Sequence, residues 1–379
     1  MENKKIKVIE FEDAWTPGGV EKYIIQLISN IDRDIYKPII WTTQKKTTLY
    51  DGELKKNHIK FVTMKGVTAA NPILRIFQSL GKFRKDLSSI DADVFHLHAS
   101  NGVVLIYAYI AKKCGIRKVI VHSHSSDFGG GQRIIKEVGH KIGKLLFSKC
   151  ADINLACSDK ATEWLFTKNQ IKNGNVRIVD YFVDTNRFRF DNNIREEYRN
   201  RYEIKDETVF LNVGRFHYQK NQLFLLELFK LISDSINAKL FLIGEGNLEN
   251  DLRKRTKELG LENKVVFVGT THHVERYMWM SDAFILPSLY EGNPITVTEA
   301  QAAGLPCFIS NKVTNRAKIT DESCFIDISD KCGCADYIVK FMKHYRGTFE
   351  ERVEKSGFVK KMGHDVLSQI KEIEEIYSC

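Results

Sequence analysis

Apolar runs of four to seven residues alternate with longer stretches of helical periodicity along the whole chain. That alternation predicts βαβ units and parallel sheets. In the first half, strands are expected at Ile6–Phe11, Pro38–Thr42, Ile59–Val62, Val94–His98, Lys118–His122, Ile153–Ala156 and Val176–Val179. Helices fit between them over 19–30, 72–88, 102–113, 133–148 and 159–167. A second series places strands at Val209–Val213, Lys239–Ile243, Val265–Val268, Ala283–Pro287 and Pro306–Ile309. Its helices fall near 221–234, 248–259, 273–280 and 294–303. The polar, charged segment 180–208 parts the two series. The pattern therefore predicts an α/β protein of two doubly wound domains, 1–182 and 183–363. A last helical pattern near 364–377 carries Val366, Ile370, Ile373 and Ile376 at helical spacing. It either closes the second domain or crosses back onto the first.

Composition adds a soluble core and no membrane span. Hydrophobic residues make up 43% and charged residues 28% of the 379 residues. No stretch reaches the roughly 18 apolar residues that a spanning helix needs, and Met1 to Lys7 offer no apolar leader. The expected compartment is the cytoplasm. Eight cysteines are scattered without a Cys-x-x-Cys pair, which reads as reduced structural thiols.

Charge changes the picture more. The net charge of +9 is unevenly placed: residues 1–182 hold 29 Lys and Arg against 18 Asp and Glu, the remainder 28 against 30. A basic half beside a nearly neutral one points to an anionic partner for the first half. Two helical segments there interleave apolar and basic residues: Ile73, Leu74, Ile76, Phe77, Leu80 and Phe83 with Arg75, Lys82, Arg84 and Lys85, and Ile134, Val138, Ile142 and Leu145 with Arg133, Lys136, Lys141 and Lys144. Each is either a core-facing stripe with a solvated basic side or a surface for an anionic membrane.

The most specific chemistry lies in Ser288–Pro306. Glu291 falls in the loop after a parallel strand, where ligands of such folds bind. Asn293 suits an N-cap, Pro294 the first helical position, and Gly304 the end of the helix. The N–H groups from Gly292 through Ile295 to Thr296, with the helix dipole behind them, suit a diphosphate. Glu299 lies about one and a half turns into that helix. Carboxylates in such positions accept hydrogen bonds from sugar hydroxyls. The alternative is an ordinary capped helix with two solvated glutamates.

A second element follows the strand Val209–Val213. Gly214 permits a tight turn, and Arg215 and Lys220 put two cations over the same sheet edge, one able to grip a phosphate bidentately and one a point charge. Gly18 and Gly19 open the first helix and permit close approach of an anion or sugar. They do not form a full dinucleotide fingerprint. Gly244 and Gly246 follow one strand and Gly269 the next, as plain turns or as parts of the same edge. Four histidines, His96, His98, His122 and His124, end two adjacent strands, but no carboxylate stands at ligand spacing beside them, so no metal is expected.

On Glu291-x7-Glu299 and on Gly214, Arg215 and Lys220 the chain resembles glycosyltransferase family 4, the retaining enzymes of GT-B architecture, in its capsular and exopolysaccharide branch. The resemblance covers nearly the whole chain. It implies two facing Rossmann-like domains with the active site in the cleft between them. It also implies that Glu291 meets the donor hexose and Glu299 the ribose. Arg215 and Lys220 would hold the donor diphosphate, and His124 would lie by the reacting sugar carbon. Gly18 and Gly19 would face the donor, while Gly244, Gly246 and Gly269 would line the base. Tyr181–Asp184 departs from the family's pattern near the hinge, with two aromatics where relatives have a small pair. The implied partners are a nucleotide diphosphate sugar, UDP-linked, and a glycan or lipid-diphosphate-linked acceptor. An anionic inner membrane face belongs to this expectation; a nucleic acid or a cofactor does not. Competing readings are a sugar-nucleotide epimerase or phosphorylase, and a silent membrane-bound partner of polysaccharide assembly.

Overall fold

The computed structural model describes residues 5–69, 72–128, 133–345 and 347–378. The chain divides into one unit of Met1–Asp180 with Val366–Cys379 and another of Tyr181–Asp365.

In the first unit, seven parallel strands run β1 (Ile6–Trp15), β2 (Tyr36–Lys45), β3 (Lys60–Thr63), β4 (Val94–Ala99), β5 (Lys118–Ser123), β6 (Ile153–Ala156) and β7 (Arg177–Ile178). Their order in the sheet is β3-β2-β1-β4-β5-β6-β7, with Glu10 level with His96, and His98 level with His122. Helices on both faces make the winding double. One face is apolar: Phe11 touches the rings of Trp41, Phe83, Phe95 and Tyr107 at centroid distances of 4.7–5.6 Å. The other carries Glu10 and the histidines under Tyr23 and Tyr377.

The terminal helix Val366–Ser378 belongs to this unit. Ile370, Ile373, Ile376 and Tyr377 are its buried side. Lys118 Nζ donates to the carbonyls of Ile376 and Tyr377 at 2.7 and 3.1 Å, a cation on a helix C-terminus. Tyr36 donates to Glu374 O at 2.8 Å.

Helix Arg133–Phe147 crosses the turn Gly102–Val104 closely enough that a Cβ on Gly102 would stand 2.3 Å from His140 O, and one on Gly143 2.1 Å from Gly102 O. Two glycines set this crossing. Its inner side is polar: His140 Nδ1 accepts from Gly102 N at 2.9 Å, and Lys144 donates to the carbonyls of Glu163 and Trp164. Ile134, Val138, Ile142 and Leu145 face outward, 52–80% exposed. The core-facing reading of this stripe is therefore corrected, because glycine-mediated approach leaves no room for branched side chains on the inner side.

In the second unit, six parallel strands are β8 (Thr208–Val213), β9 (Ala238–Ile243), β10 (Val265–Gly269), β11 (Ala283–Leu286), β12 (Cys307–Ser310) and β13 (Cys324–Ile326), ordered β10-β9-β8-β11-β12-β13. Phe210, Leu225, Phe229, Leu240, Ile285 and Ile338 pack in its core. Segment 180–208 is not a loose linker. It holds the helix Asn192–Arg201, anchored by polar contacts: Arg195 and Arg199 both pair with Asp282, at 2.5 and 3.2 Å.

Burial, and then the charge of Lys144, push the His140 pKa down to about 4. The unfolded chain, with an imidazole near 6.5, therefore takes up the proton first. The stability that this group contributes is complete above about pH 6.5 and erodes as pH falls towards about 4. Urea midpoints measured from pH 7.5 to pH 4.5 should fall, and His140→Gln should flatten that fall.

Candidate functional site

The second unit brings most of the sequence-predicted residues to the carboxyl edge of β8, β9, β10 and β11. Between β8 and the helix Gln222–Ser235, the chain passes Gly214 and Arg215 and makes one 3-10 turn, Tyr218–Lys220. Asn221 then adopts a left-handed φ of 57° and donates from its side chain to Pro287 O at 3.1 Å. This ties the loop after β8 to the loop after β11. Gln219 N–H groups complete the tie, reaching Tyr290 O at 3.0 Å and Glu291 Oε2 at 3.2 Å, while Leu289 N donates to Gln219 O.

Glu291 and Lys220 meet in an ion pair of 2.6 Å, with side-chain exposures of 9% and 18%. Ser288 Oγ donates to the same carboxylate oxygen at 2.8 Å. Lys220 lies across Gly214, where a Cβ would stand 3.2 Å from its Cε. A Cβ at 214 would oblige the lysine stem to shift by a few tenths of an ångström. Arg215 is exposed and makes no ion pair among the described residues. The edge thus holds one cation committed to a carboxylate and one open to an anion.

Glycines let the neighbouring loops come equally close. A Cβ on Gly244 would lie 2.1 Å from Gly214 O, and one on Gly246 2.2 Å from Phe216 O. Gly244 N donates to Gly269 O at 2.9 Å, which joins the three turns in one row.

The helix after β11 runs from Ile295 to Ala302 with Pro294 as its N-cap. The expected cap at Asn293 is corrected by one residue, because Pro294, at ψ 101°, is still extended. Gly292, Asn293, Pro294 and Ile295 are buried rather than exposed, and Glu299 is fully buried on the same helix. The reading of Glu291 and Glu299 as solvated surface glutamates is thereby removed. Gly304, at φ 74°, ends the segment against Arg352, whose Cα would lie 2.6 Å from a Cβ there. Arg352 donates to the carbonyls of Ala303, Met278 and Ser281. Ser288 and Gln219 were missed in sequence, since a hydroxyl and an amide near a motif carry no spacing of their own.

Near the chain's start, Gly18 is the N-cap of the helix Gly19–Asn30. The Glu21 carboxylate accepts from Thr16 N at 2.6 Å and Thr16 Oγ1 at 2.7 Å, and a Cβ on Gly18 would stand 2.7 Å from it. A carboxylate thus already sits at the expected anion approach. His124 is buried, and its Nε2 lies 2.9 Å from His98 Nδ1. Burial, then neighbouring imidazoles, push the pKa values of His122 and His124 well down, so both are neutral near pH 7. The carboxylate absent from the local sequence is supplied by β1: Glu10 Oε2 lies 2.8 Å from His98 Nε2 and 3.1 Å from His96 Nδ1. Burial would raise its pKa, but His96 and His98 outweigh that and hold the carboxyl well below the usual range. Tyr181 and Phe182 are buried, and Asp184 caps the helix Thr185–Phe188.

Comparison with known proteins bears on both units. Residues 17–187 match the model of Glycosyltransferase Family 4, and residues 194–357 that of Glycosyl transferases group 1. A putative glycosyltransferase EpsF of Bacillus subtilis (strain 168) is 25% identical over 83% of this chain and 82% of its own. The UDP-Gal:alpha-D-GlcNAc-diphosphoundecaprenol alpha-1,3-galactosyltransferase of Escherichia coli is 26% identical over 66% of each. A capsular polysaccharide biosynthesis glycosyltransferase CapH of Staphylococcus aureus is 24% identical over 78% of each. Among solved structures, Anabaena Alr3699/HepE in complex with UDP and glucose aligns at TM-score 0.79 and 16% identity, over 98% of this chain and 99% of that one.

Gly244→Ala should destabilise the second unit by about 2–4 kcal/mol, from backbone strain and overpacking together. Gly269→Ala, at φ 77° with open space around it, should cost only about 1–2 kcal/mol. Chemical denaturation of the two variants side by side measures the difference.

Proposed function

We propose, starting from the fact that this chain belongs to the family 4 glycosyltransferases, that it moves a hexosyl unit from a UDP-sugar to a lipid-diphosphate-linked glycan in surface polysaccharide synthesis. The single observation that carries the reading is the edge of β8 and β11, where Lys220 and Glu291 pair beside an unengaged Arg215. A diphosphate arriving there would take Arg215 and compete with Glu291 for Lys220. Glu291, released from the ammonium, would accept from the hexose hydroxyls. Glu299 would take the ribose, and the helix start at Ile295 would face the phosphates. Gly244, Gly246 and Gly269 would line the base through backbone groups.

The chemistry asked of such a site is leaving-group stabilisation. As the bond from the anomeric carbon to the diphosphate oxygen lengthens, negative charge grows on the nucleotide, and fixed cations meet it without reorganising. No metal is needed for that step. Transfer with retention follows the resemblance, as does a place for His124 near the reacting carbon. The donor base is taken from the fold likeness to the UDP complex of HepE. The acceptor class is taken from the diphosphoundecaprenol-linked substrate in the E. coli relative's name.

A lipid-linked acceptor also gives a use to the helix Arg133–Phe147, whose apolar residues face solvent. Ile134 and Leu145 are 80% and 78% exposed, with Lys141 exposed on the same helix. Among the described residues no helix is long and apolar enough to cross a membrane. A shallow, in-plane docking on an anionic, cytoplasmic membrane face is the mode proposed.

Two experiments test this. A panel of nucleotide sugars with a lipid-diphosphate acceptor should show release of UDP, and Lys220→Ala should lower kcat about 10²–10³-fold; no turnover from any donor sinks the reading. In flotation with anionic liposomes, a double variant Ile142→Ser with Leu145→Ser should bind at least about tenfold more weakly, since each buried aliphatic contributes about 1.5–3 kcal/mol. Equal flotation of variant and parent sinks the docking.

A further inference from the structure

The polar face of the first unit's sheet leaves three buried imidazole nitrogens without a partner among the described residues. Tyr377 donates its one proton to Glu10 Oε1 at 2.6 Å. The 2.7 Å contact between Tyr377 Oη and His96 Nδ1 therefore requires the proton on His96 Nδ1. That nitrogen also points at Glu10 Oε2, 3.1 Å away. His98 Nε2, at 2.8 Å from the same oxygen, carries a proton too. The two imidazoles are thus turned by one carboxylate so that His96 Nε2 and His98 Nδ1 present lone pairs away from it.

Among the described residues, His96 Nε2 is buried without a hydrogen-bond partner, and so are both ring nitrogens of His122, a residue with no exposure at all. A buried polar atom left unpaired costs about 1–3 kcal/mol, and three stand here side by side. One donor atom from each of His96, His98 and His122 lies within 4.8 Å of the other two. His124 Nε2, 2.9 Å from His98 Nδ1, is the next nitrogen. Tyr23 closes the group edge-on against His98 and His122.

We propose that His96, His98 and His122 bind one divalent transition-metal ion of the zinc class, with Glu10 as the outer carboxylate that orients two of the three ligands. Neutral imidazoles suit zinc, cobalt, nickel or copper and not magnesium or calcium. A carboxylate on the far nitrogen of a ligating histidine is the recurrent way such rings are fixed. Bonds of about 2.0–2.1 Å in tetrahedral geometry hold donor atoms about 3.3 Å apart, so the trio closes modestly around the ion. A water fills the fourth position, and His124, whose Nε2 faces the acceptor nitrogen of His98, stays outside the ligand set. The ion would join β4 to β5, and through Glu10 and Tyr377 also β1 and the terminal helix. Its role is structural and is separate from the transfer step.

The test uses the full-length protein, expressed with added zinc and purified without chelator. Elemental analysis should find one zinc per chain, and cobalt(II) in its place should give the visible bands of a four-coordinate nitrogen site. Stripping the ion should lower the Tm of the parent protein. His122→Phe, which keeps a planar ring and removes both nitrogens, should lose the ion and the cobalt bands with an unchanged circular dichroism spectrum. Parent protein that holds neither zinc nor cobalt overturns the proposal and leaves ordered water as the filler of the group. Full metal retention in the folded His122→Phe variant overturns it as well. Should that variant fail to fold, the parent's metal content and cobalt spectrum decide alone.

Discussion

Lys220 and Glu291 can meet because β8 and β11 are parallel neighbours, and a parallel sheet delivers every strand end to one edge. The pairing of Ala283 with Phe210 and of Phe284 with Leu211 sets both strands level. The loops that follow then leave side by side, 71 residues apart in sequence and 2.6 Å apart in space. Everything else at that edge adjusts to this pair. Asn221 takes a left-handed conformation to hold the two loops together, Ser288 adds a proton donor, and Gly214 gives up a side chain so that the lysine can lie flat. A largely buried ion pair contributes little net stability, yet losing one partner leaves the other stranded at a cost of about 3–5 kcal/mol. In the exchange proposed above, an incoming diphosphate would offer the lysine an equivalent partner, while Ser288 and Gln219 would still donate to Glu291.

The strands of both sheets were legible because buried parallel strands are short, nearly continuous apolar runs, and Val209–Val213 or Ala283–Leu286 have few other interpretations. What stayed hidden had weak or misleading patterns. β13 is three residues long at a sheet edge, with Cys324 and Phe325 only half-buried. Helix Asn192–Arg201 buries Tyr198 alone and is held by arginines on Asp282 and carbonyl groups, so it lacks an apolar stripe to read. The helices Lys331–His344 and Phe349–Val359 were also left unread, although Arg352 of the second braces the end of the helix that carries Glu299.

The candidate residues themselves were legible as types and spacings; their partners were not. Glu291 and Lys220 each belonged to a motif, but nothing in either motif states that they touch. Glu10 was the larger omission. It sits in Val8–Phe11, where alternation marks it as facing away from Phe11, but only the register of β1 on β4 shows that it stands level with His96. Register in a parallel sheet is fixed by crossovers of many residues, and no local pattern encodes it. The inference that no carboxylate accompanied the histidines was sound for neighbours in sequence and wrong for neighbours in space.

Helix Arg133–Phe147 carries the same lesson in reverse. Its apolar period is strong, and periodicity alone assigns such a stripe to a core. Two glycines overrule it. With Gly143 pressed on Gly102, the backbones approach too closely for a branched residue to lie between them, and the inner side is left to His140, Lys144 and their carbonyl partners. The isoleucines, valine and leucines must then point outward. An isolated exposed leucine is ordinary, but Ile134, Ile135, Val138, Ile142, Leu145 and Leu146 exposed on one helix form a surface that water alone solvates poorly. Such a helix is stable in its observed orientation because His140 and Lys144 on its inner side are engaged with the protein, which leaves the apolar side facing outward. The membrane docking proposed above would give both the apolar residues and the lysines among them a suitable medium.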